Sequence, residues 1–476
     1  MVVWAGLFPA SAQLPSQYQQ LSCFEPSRNP GGNPTAGLVL GKDGLLYGAT
    51  VSGVNGGGAV FAVSRDGQIH RDVLPFRRGQ GIAVPLGKLV TDLAGTVYGT
   101  SQTGGTGNGM VFKVNADGTG FKVLHSFGGV ANDGYNVLAG VALTGGQLFG
   151  VTEDDFTTNR AGVIFRVNTD GTGYQILHQF STNAVSGAAV DGSNPFGGLI
   201  VGQDGALYGS TRSGGSTINF PYGPGAVFRI TPDGGAYAVL HGFNFGDGYA
   251  ASAELTQTAD GRLFGTTPFG GAVDSGTVFS LNTNGTGFNV VFSFTNYPGA
   301  GSSVQPSALT PGPDGAFYGT TAYAGLTNAA FPRGMGQVFR LTPDGSNYTI
   351  LHTFSGEDGA NAQSAVVFDG TGSLYGTTQH GGFYDQGVVF KLSPALAGGL
   401  SIVDSVQTPL GFRLTLSGPP FVSFVVQSKS DLPSTGGWAT SPVAALDAYG
   451  LFQYFDSGAT NYPHRFYRLA PPPGGD

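Results

Sequence analysis

Leu374-Tyr375-Gly376-Thr377-Thr378 is the stretch that decides the fold, because close variants of it recur along the chain. The aromatic residue of this motif stands at seven positions, which are Tyr47, Tyr98, Phe149, Tyr208, Phe264, Tyr318 and Tyr375. Successive copies are 51, 51, 59, 56, 54 and 57 residues apart. A repeat of this period predicts an array of similar supersecondary units, each packed on its neighbours.

Each repeat contains four short apolar segments, which we name strands a to d. Strand a is apolar, as in Leu199-Ile200, and strand b carries the motif. Strand c carries Val-Phe, as in Val227-Phe228, and strand d ends in Leu-His-x-Phe, as in residues 240–243. Asp-Gly pairs, which favour tight turns, join a to b in several repeats and c to d in most of them. Four antiparallel strands per period are typical of a β-propeller blade.

The beginning of the chain supplies a strand that the last repeat lacks. Residues 18–24 read Tyr-Gln-Gln-Leu-Ser-Cys-Phe and match strand d, as in residues 174–180, whereas no such strand follows Val389-Phe390. A ring closed by its first and last segments explains this, since an open array would need capping repeats at both ends. The sequence therefore predicts an all-β fold, with a seven-bladed β-propeller over residues 17–395 that is closed by an N-terminal strand.

Length variation is confined to particular loops of the repeat. The strand c Phe and the strand d Phe are 15 residues apart in all six complete repeats. In contrast, 12 to 19 residues separate the motif Gly from the aliphatic residue of strand c. In a four-stranded meander, the b–c and d–a loops emerge on one face and the a–b and c–d turns on the other. Variable loops on a rigid scaffold are the usual place for binding, so we expect function on the b–c and d–a face.

The repeat ends before residue 400, and a different pattern follows. Alternating segments such as residues 412–416 and 451–455 predict a small C-terminal β-sandwich over residues 400–470. The tail, residues 471–476, is rich in Pro and Gly and is expected to be disordered.

The first residues of the chain suggest export. Residues 2–9 are apolar and Ala10-Ser11-Ala12 is a small-x-small site, so residues 1–16 are expected to be a signal-peptide remnant or a disordered start. Cys23 is the single cysteine, which excludes an intrachain disulfide. No later apolar run reaches transmembrane length, so no transmembrane segment is expected.

Composition limits the partners. Only 11% of residues are charged, against ~25% in ordinary soluble proteins. This low charged content leaves no basic patch for a phosphate backbone, and the net charge of −8 argues further against nucleic acid. Fourteen of the 29 acidic residues are Asp in Asp-Gly pairs, so turn formation explains nearly half of the carboxylates.

With these residues in view, the repeats resemble the GloVer-type (Gloeo/Verruco) tandem-repeat family of bacterial surface or secreted proteins. Residues 314–354 match its pattern closely, through Asp314-Gly315, Tyr318-Gly319-Thr320-Thr321, Val338-Phe339, Pro343-Asp344-Gly345 and Leu351-His352-Thr353-Phe354. The resemblance covers roughly residues 17–394. It implies an extracellular or cell-envelope location, with varied C-terminal anchors, and no particular activity. Residues 425–468 resemble an immunoglobulin-like module at the C-termini of secreted bacterial proteins.

Four histidines share one position in strand d and could suggest a metal site. They are His125, His178, His241 and His352. Zinc needs ligands ~2 Å from one ion, whereas equivalent positions on the outermost strands of different blades lie far apart. Leu74 and Phe292 occupy the same position in other repeats, so we expect a structural role and no metal.

Residues that the repeat does not need are the better candidates for binding. Glu153, Asp154 and Asp155, followed by Arg160, lie in the third b–c loop. Adjacent carboxylates could ligate Ca²⁺, but their spacing matches no EF-hand loop, and a solvated acidic loop is the simpler interpretation.

Aromatic residues mark two more of these loops. Phe220 and Tyr222 lie in the fourth b–c loop, and Tyr323, Phe331 and Arg333 lie in the sixth. Such residues suit carbohydrate or protein contacts, but packing of the loop on a neighbouring blade would explain them equally well.

The leading hypothesis is a non-enzymatic, monomeric scaffold that binds an extracellular polysaccharide or protein without a cofactor. The sequence shows no phosphate-binding loop, Cys-x-x-Cys pair, His-Glu-x-x-His or Gly-x-Ser-x-Gly motif. The alternative is a secreted carbohydrate-active hydrolase or lyase, which would need two carboxylates, or a base and a cation, converging on one face. A third possibility is a spacer that carries the C-terminal module.

Overall fold

The computed structural model describes residues 17–25, 31–53, 56–77, 85–129, 132–154, 161–180, 191–215, 223–295, 303–370, 372–393, 401–408, 411–417, 423–429, 439–442, 444–445, 451–456 and 466–470. In these ranges the secondary structure is entirely β, which confirms the all-β prediction. A membrane-spanning helix is accordingly not found in the described part of the chain. One compact unit comprises Tyr18–Pro311 and Ala316–Leu392, and the C-terminal residues belong to a second.

The first unit contains seven four-stranded sheets, numbered here in the order of their motifs. Sheet one comprises β2 (Val39–Leu40), β3 (Leu46–Thr50), β4 (Gly56–Val63) and β5 (His70–Arg77), and sheet two comprises β6 (Val90–Thr91), β7 (Thr96–Ser101), β8 (Met110–Asn115) and β9 (Lys122–Ser126). Sheet three comprises β10 (Ala142–Thr144), β11 (Gln147–Thr152), β12 (Val163–Asn168) and β13 (Gln175–Gln179). Sheet four comprises β14 (Ile200–Val201), β15 (Leu207–Thr211), β16 (Ala226–Ile230) and β17 (Tyr237–Gly242).

The remaining three sheets have the same strand order. They are β18 (Thr256–Gln257), β19 (Leu263–Thr267), β20 (Thr277–Leu281) and β21 (Asn289–Ser293); β22 (Thr310–Pro311), β23 (Phe317–Thr321), β24 (Gln337–Leu341) and β25 (Tyr348–Thr353); and β26 (Val367–Phe368), β27 (Leu374–Thr378), β28 (Val388–Ser393) and β1 (Gln17–Cys23). The N-terminal strand β1 is thus the hydrogen-bonded neighbour of β28, as the sequence predicts.

The motif Gly is required because the strand c Phe packs directly over it. A Cβ added at Gly265 would lie 2.4 Å from Cζ of Phe279, its cross-strand partner. The other six motif glycines meet the Phe of their own strand c in the same way, at 2.4 to 2.7 Å. The Leu-Tyr-Gly and Val-Phe motifs therefore recur together because they form one packing unit.

Buried side chains join each sheet to the next. Each of seven apolar clusters in the described residues combines side chains from two consecutive sheets. The last cluster packs Phe24 and Tyr375 of sheet seven with Leu46 and Phe61 of sheet one. The contacts between sheets therefore form a closed cycle, and both faces of every sheet are buried.

A repeated bulge explains the constant c–d hairpin. In sheet two, Val111 pairs with His125 but Phe112 pairs with Val123, so Leu124 is an extra residue in strand d. The turn glycine of the next c–d hairpin, Gly171, lies against this bulge, where an added Cβ would be 3.1 Å from the Leu124 carbonyl oxygen. Gly67, Gly118, Gly234, Gly285 and Gly345 repeat this contact, all with positive φ. A hairpin of another length would miss the neighbouring sheet.

The C-terminal unit contains two small sheets in its described residues. One comprises β29 (Ser401–Thr408), β30 (Gly411–Ser417) and β34 (Leu451–Asp456), and the other comprises β32 (Ala439–Thr440), β31 (Ser423–Lys429), β33 (Ala444–Ala445) and β35 (Phe466–Ala470). The Tyr467 hydroxyl donates to Oδ2 of Asp456 at 3.0 Å, which links the two sheets.

We predict that Gly265→Ala destabilises the protein by about 1–3 kcal/mol, because the added methyl group would overpack the contact with Phe279. Urea unfolding would measure the change. Gly370→Ala is the matched control, since no atom lies within 4 Å of its added Cβ. Equal stability of the two variants would contradict the proposed role of the motif Gly.

Candidate functional site

The motif threonines determine where the variable loops begin. In sheet seven the Oγ1 atom of Thr378 accepts a hydrogen bond from the backbone N–H of Val388 at 3.2 Å, which closes the base of the b–c loop. The other motif Thr, Thr377, donates to the carbonyl oxygen of Ala36 at 3.3 Å, ahead of strand a of sheet one. Thr100, Thr266 and Thr320 make the equivalent contact with the following sheet. The loop bases are therefore held by the scaffold whatever the loop sequence.

An ion pair crosses the centre of the ring on this face. Lys88 precedes strand a of sheet two and Glu254 precedes strand a of sheet five, and the Lys88 ammonium donates to Oε2 of Glu254 at 3.1 Å. Sheets two and five share no core cluster in the described residues, so the contact runs across the ring. The equivalent positions in the other sheets are small residues, namely Gly37, Gly140, Gly198, Ala308 and Ala365.

The ion pair is close to the surrounding backbone. A Cβ at Gly198 would lie 3.7 Å from both Oε1 of Glu254 and the Gly140 carbonyl oxygen. The Glu254 carboxylate raises the pKa of Lys88, and this effect outweighs burial, which lowers the pKa. The lysine is therefore a cation. The centre of this face therefore holds two complementary charges that neutralise each other.

Glu153 and Asp154 of the third b–c loop are half-buried and hydrogen-bonded, contrary to the expectation of a solvated acidic loop. Asn136 donates from Nδ2 to Oδ2 of Asp154 at 3.0 Å, and Asn194 donates to Oδ1 at 3.3 Å. Oε1 of Glu153 lies 3.6 Å from Arg212. Burial raises the pKa of Glu153, Asp154 adds to the shift, and Arg212 opposes it. These carboxylates connect the loop to its neighbours.

The sixth b–c loop brings its three candidate residues into contact with the scaffold. The Arg333 guanidinium lies 3.9 Å from the ring centroid of Tyr323 and donates to the Ser303 carbonyl oxygen at 3.3 Å. Phe331 packs on the cluster between sheets six and seven, with its ring centroid 6.2 Å from that of His380. All three side chains are half-buried, so packing on a neighbouring sheet accounts for much of their position.

Four candidate binding residues lie outside the described residues. They are Asp155, Arg160, Phe220 and Tyr222.

The strand d histidines form a repeated contact between sheets. The His125 ring stacks on Tyr174 of the next sheet at 3.5 Å, and its Nε2 is 3.2 Å from Oδ2 of Asp133. The other three histidines have equivalent partners, namely Tyr237 and Asp191, Phe288 and Asp247, and Tyr18 and Asp358. No group of three or more His, Cys, Asp or Glu side chains in the described ranges is arranged to hold a metal ion.

Other acidic residues of the variable face also hold loops. Oδ1 of Asp274 accepts from the Gly270 N–H at 2.8 Å, and Oδ1 of Asp385 accepts from the Gly381 N–H at the same distance. With Glu254 paired to Lys88, these contacts assign a structural partner to three acidic residues that lie outside the Asp-Gly turns.

A cavity of about 300 Å³ lies at the a–b turns of sheets one and two, on the opposite face. Its lining includes Asp43, Tyr47 and Thr91. The Tyr47 hydroxyl donates to Oδ2 of Asp43 at 2.6 Å, and Lys42, which also lines the cavity, donates to the Leu93 carbonyl oxygen at 3.0 Å.

The sequence motifs do not identify Lys88 as a site residue, although its repeat position contains a signal for it. The residue before the first buried apolar residue of strand a is Gly or Ala in five repeats, and only Lys88 and Glu254 depart from this pattern. Two opposite charges at one repeat position indicate a contact between them, although the sequence does not say which sheets face each other.

The chain belongs to the Gloeobacter/Verrucomicrobia repeat family, which matches residues 11–220, 132–329 and 199–411. This confirms the resemblance seen in the repeats. A search of curated proteins finds no match.

Two solved structures with TM-scores of 0.50 or above support a propeller-like fold. The chain is similar to the extracellular domain of a putative hybrid two-component system from B. thetaiotaomicron, with a TM-score of 0.51, 10% identity, and coverage of 85% of this chain and 46% of that one. A second structure is the extracellular domain of a putative one-component system from the same organism. Its TM-score is 0.50 at 10% identity, and the match covers 84% of this chain and 46% of that one. An oligogalacturonate lyase in complex with manganese gives a TM-score of 0.48 at 11% identity, and the match covers 80% of this chain and 97% of that one. The chain thus spans less than half the length of the first two domains.

We predict that the charge reversal Lys88→Glu destabilises the protein by about 1 kcal/mol at low salt, since it places two carboxylates together. The double variant Lys88→Glu/Glu254→Lys should recover most of that stability, because it restores the pair in reverse. Urea unfolding at low and high salt would measure both effects. Failure of the second substitution to compensate for the first would show that the two side chains do not meet.

A second prediction concerns His70, which takes the position of Tyr174 at the junction between β1 and sheet one. Burial lowers the pKa of His70, so the folded protein binds a proton less readily than the unfolded chain. Its contribution to stability should therefore fall as the pH drops below about 6.5. His70→Phe, which copies Phe288 of sheet five, should lose less stability than the wild type between pH 7.5 and 5. Parallel pH profiles of thermal unfolding would contradict this assignment.

Proposed function

We propose that the seven sheets are the blades of a seven-bladed β-propeller, and that residues 400–470 form a small immunoglobulin-like β-sandwich. The closed cycle of seven apolar clusters supports the first proposal. The contact between β34 and β35 through Asp456 and Tyr467 supports the second. A propeller presents its variable loops on one face of a rigid ring.

The protein functions as a monomeric, non-enzymatic scaffold that binds a polysaccharide or another protein through the b–c and d–a loop face. The observation that carries this proposal is that the loops at one end of the strands vary in length, whereas the turns at the other end are constant. Glycines of the c–d turns contact the neighbouring sheet and the turn lengths are constant, whereas the b–c loops vary in length on bases held by the motif Thr. The scaffold therefore leaves one face free to change.

Extracellular or cell-envelope placement fits the same proposal. The apolar residues 2–9 with the small-x-small site at 10–12 are typical of export. Two structures of similar fold are extracellular domains of bacterial proteins. A surface with few charged residues, as the composition implies, suits contact with polymers outside the cell.

Loop exchange tests the binding face. Residues 322–336 of the sixth b–c loop, and residues 212–225 of the fourth, would each be replaced by the short fifth loop, residues 268–276. We expect the exchanged proteins to lose partners that the wild type captures on a glycan array or from an envelope-protein fraction. The matched control replaces the c–d turn, residues 342–347, with residues 231–236, which have the same length. Binding that survives both loop exchanges but not the turn exchange would place the site on the opposite face.

A further inference from the structure

The b–c loops of sheets five and seven share one backbone frame. Each loop contains two consecutive positive-φ glycines, and the Asp four residues after the first Gly accepts the N–H of that Gly at 2.8 Å. Asp274 and Asp385 themselves have φ of 55° and 53°. A closing hydrogen bond joins Gly276 to Gly270 at 3.1 Å and Gly387 to Gly381 at 3.0 Å. The frame is therefore built from backbone groups and one carboxylate.

The two loops differ in the side chains that this frame presents. Sheet five carries Ala272-Val273, and sheet seven carries Phe383-Tyr384 at the same positions. Phe383 is 85% exposed and Tyr384 is 43% exposed, with ring centroids 4.9 Å apart and planes at 83°. Since the frame forms equally with Ala and Val, neither aromatic ring is needed to fold the loop. Two exposed rings on a fixed loop are unfavourable in water unless a ligand covers them.

The polar residues near the pair in the sequence are amides, carboxylates and His380, and none of them is Lys or Arg. Gln379 and Gln386 flank the loop, and the Gln363 side chain donates to Oε1 of Gln379 at 2.7 Å. Residues 354–390 contain no Lys or Arg, whereas Glu357 and Asp385 are acidic and exposed. An anionic polymer would be repelled here. Amides can donate to and accept from hydroxyl groups.

We propose that Phe383 and Tyr384 form the platform of a binding site for a neutral polysaccharide. Because the two ring planes lie at 83°, the apolar C–H face of one sugar ring covers one aromatic face and a neighbouring sugar of the same polymer contacts the other. The neighbouring glutamines bind sugar hydroxyl groups. This inference rests on the proposed binding function and names its ligand class and site.

The size of the patch favours a sugar over a protein. A specific protein interface buries at least about 1,000 Å² and has an extended apolar core. Here two adjacent rings are flanked in the sequence by glycine, histidine, amide and acidic residues. Two aromatic rings provide stacking contacts for one or two sugar rings.

Affinity gel electrophoresis tests the proposal with the full-length protein. The gels would contain a soluble β-glucan, xylan or galactomannan as neutral polymers, and polygalacturonate as an acidic one. We expect retardation of the wild type by at least one neutral polymer and not by polygalacturonate. Phe383→Ala/Tyr384→Val, which copies the loop of sheet five and should fold, should raise the Kd at least about tenfold. Val273→Ala is the matched control and should bind like the wild type.

Three outcomes would overturn the inference. One is a wild type that no neutral polymer retards, and another is retardation by polygalacturonate alone. The third is unchanged retardation of the Phe383→Ala/Tyr384→Val variant. If the loop exchanges described above still abolish capture of a partner, the binding scaffold stands and only the neutral-polysaccharide site fails.

Discussion

Both faces of every sheet in the repeat unit are apolar, and the rest of the structure depends on burying them. Seven sheets that each need two neighbours satisfy this requirement only if the last sheet packs on the first, as the cluster of Phe24, Tyr375 and Phe61 does. The strand at the beginning of the chain then has a clear physical role. It supplies the outer strand of sheet seven, where Tyr18 stacks on His352 of sheet six and Phe24 packs on Phe61 of sheet one.

The junctions between sheets tolerate chemical variation while keeping their geometry. His125 stacks on Tyr174, Phe292 stacks on Tyr348 at 4.7 Å, and at the closing junction the Ser22 hydroxyl contacts Nδ1 of His70. What stays constant is the bulge in strand d and the positive-φ glycine that lies on it. Backbone geometry therefore sets the spacing of the ring, and side chains at the junction add apolar contact and hydrogen bonds to it.

Much of this architecture could be predicted from the sequence because it depends on local patterns repeated many times. The motif glycines, the Val-Phe pairs and the 15-residue hairpin each recur. Repetition therefore distinguishes the residues that the fold requires from residues that occur in a single repeat. The contacts of Asp154 could not be predicted, because its partners Asn136 and Asn194 come from d–a loops that no repeat pattern describes. The Lys88–Glu254 pair was also hidden, since it joins residues 166 positions apart whose meeting depends on ring closure.

The same separation clarifies how a repeat protein can acquire function without loss of stability. In the loops of sheets five and seven, hydrogen bonds of the backbone and one Asp determine the conformation, so the two residues at the tip contribute little to folding. Selection can then change these residues independently of the core. Ala-Val in one loop and Phe-Tyr in the other have the same structural consequence but different surfaces. The motifs that all repeats share are already explained by packing. Side chains that differ between two loops with the same backbone conformation therefore indicate a ligand more directly than the motifs do.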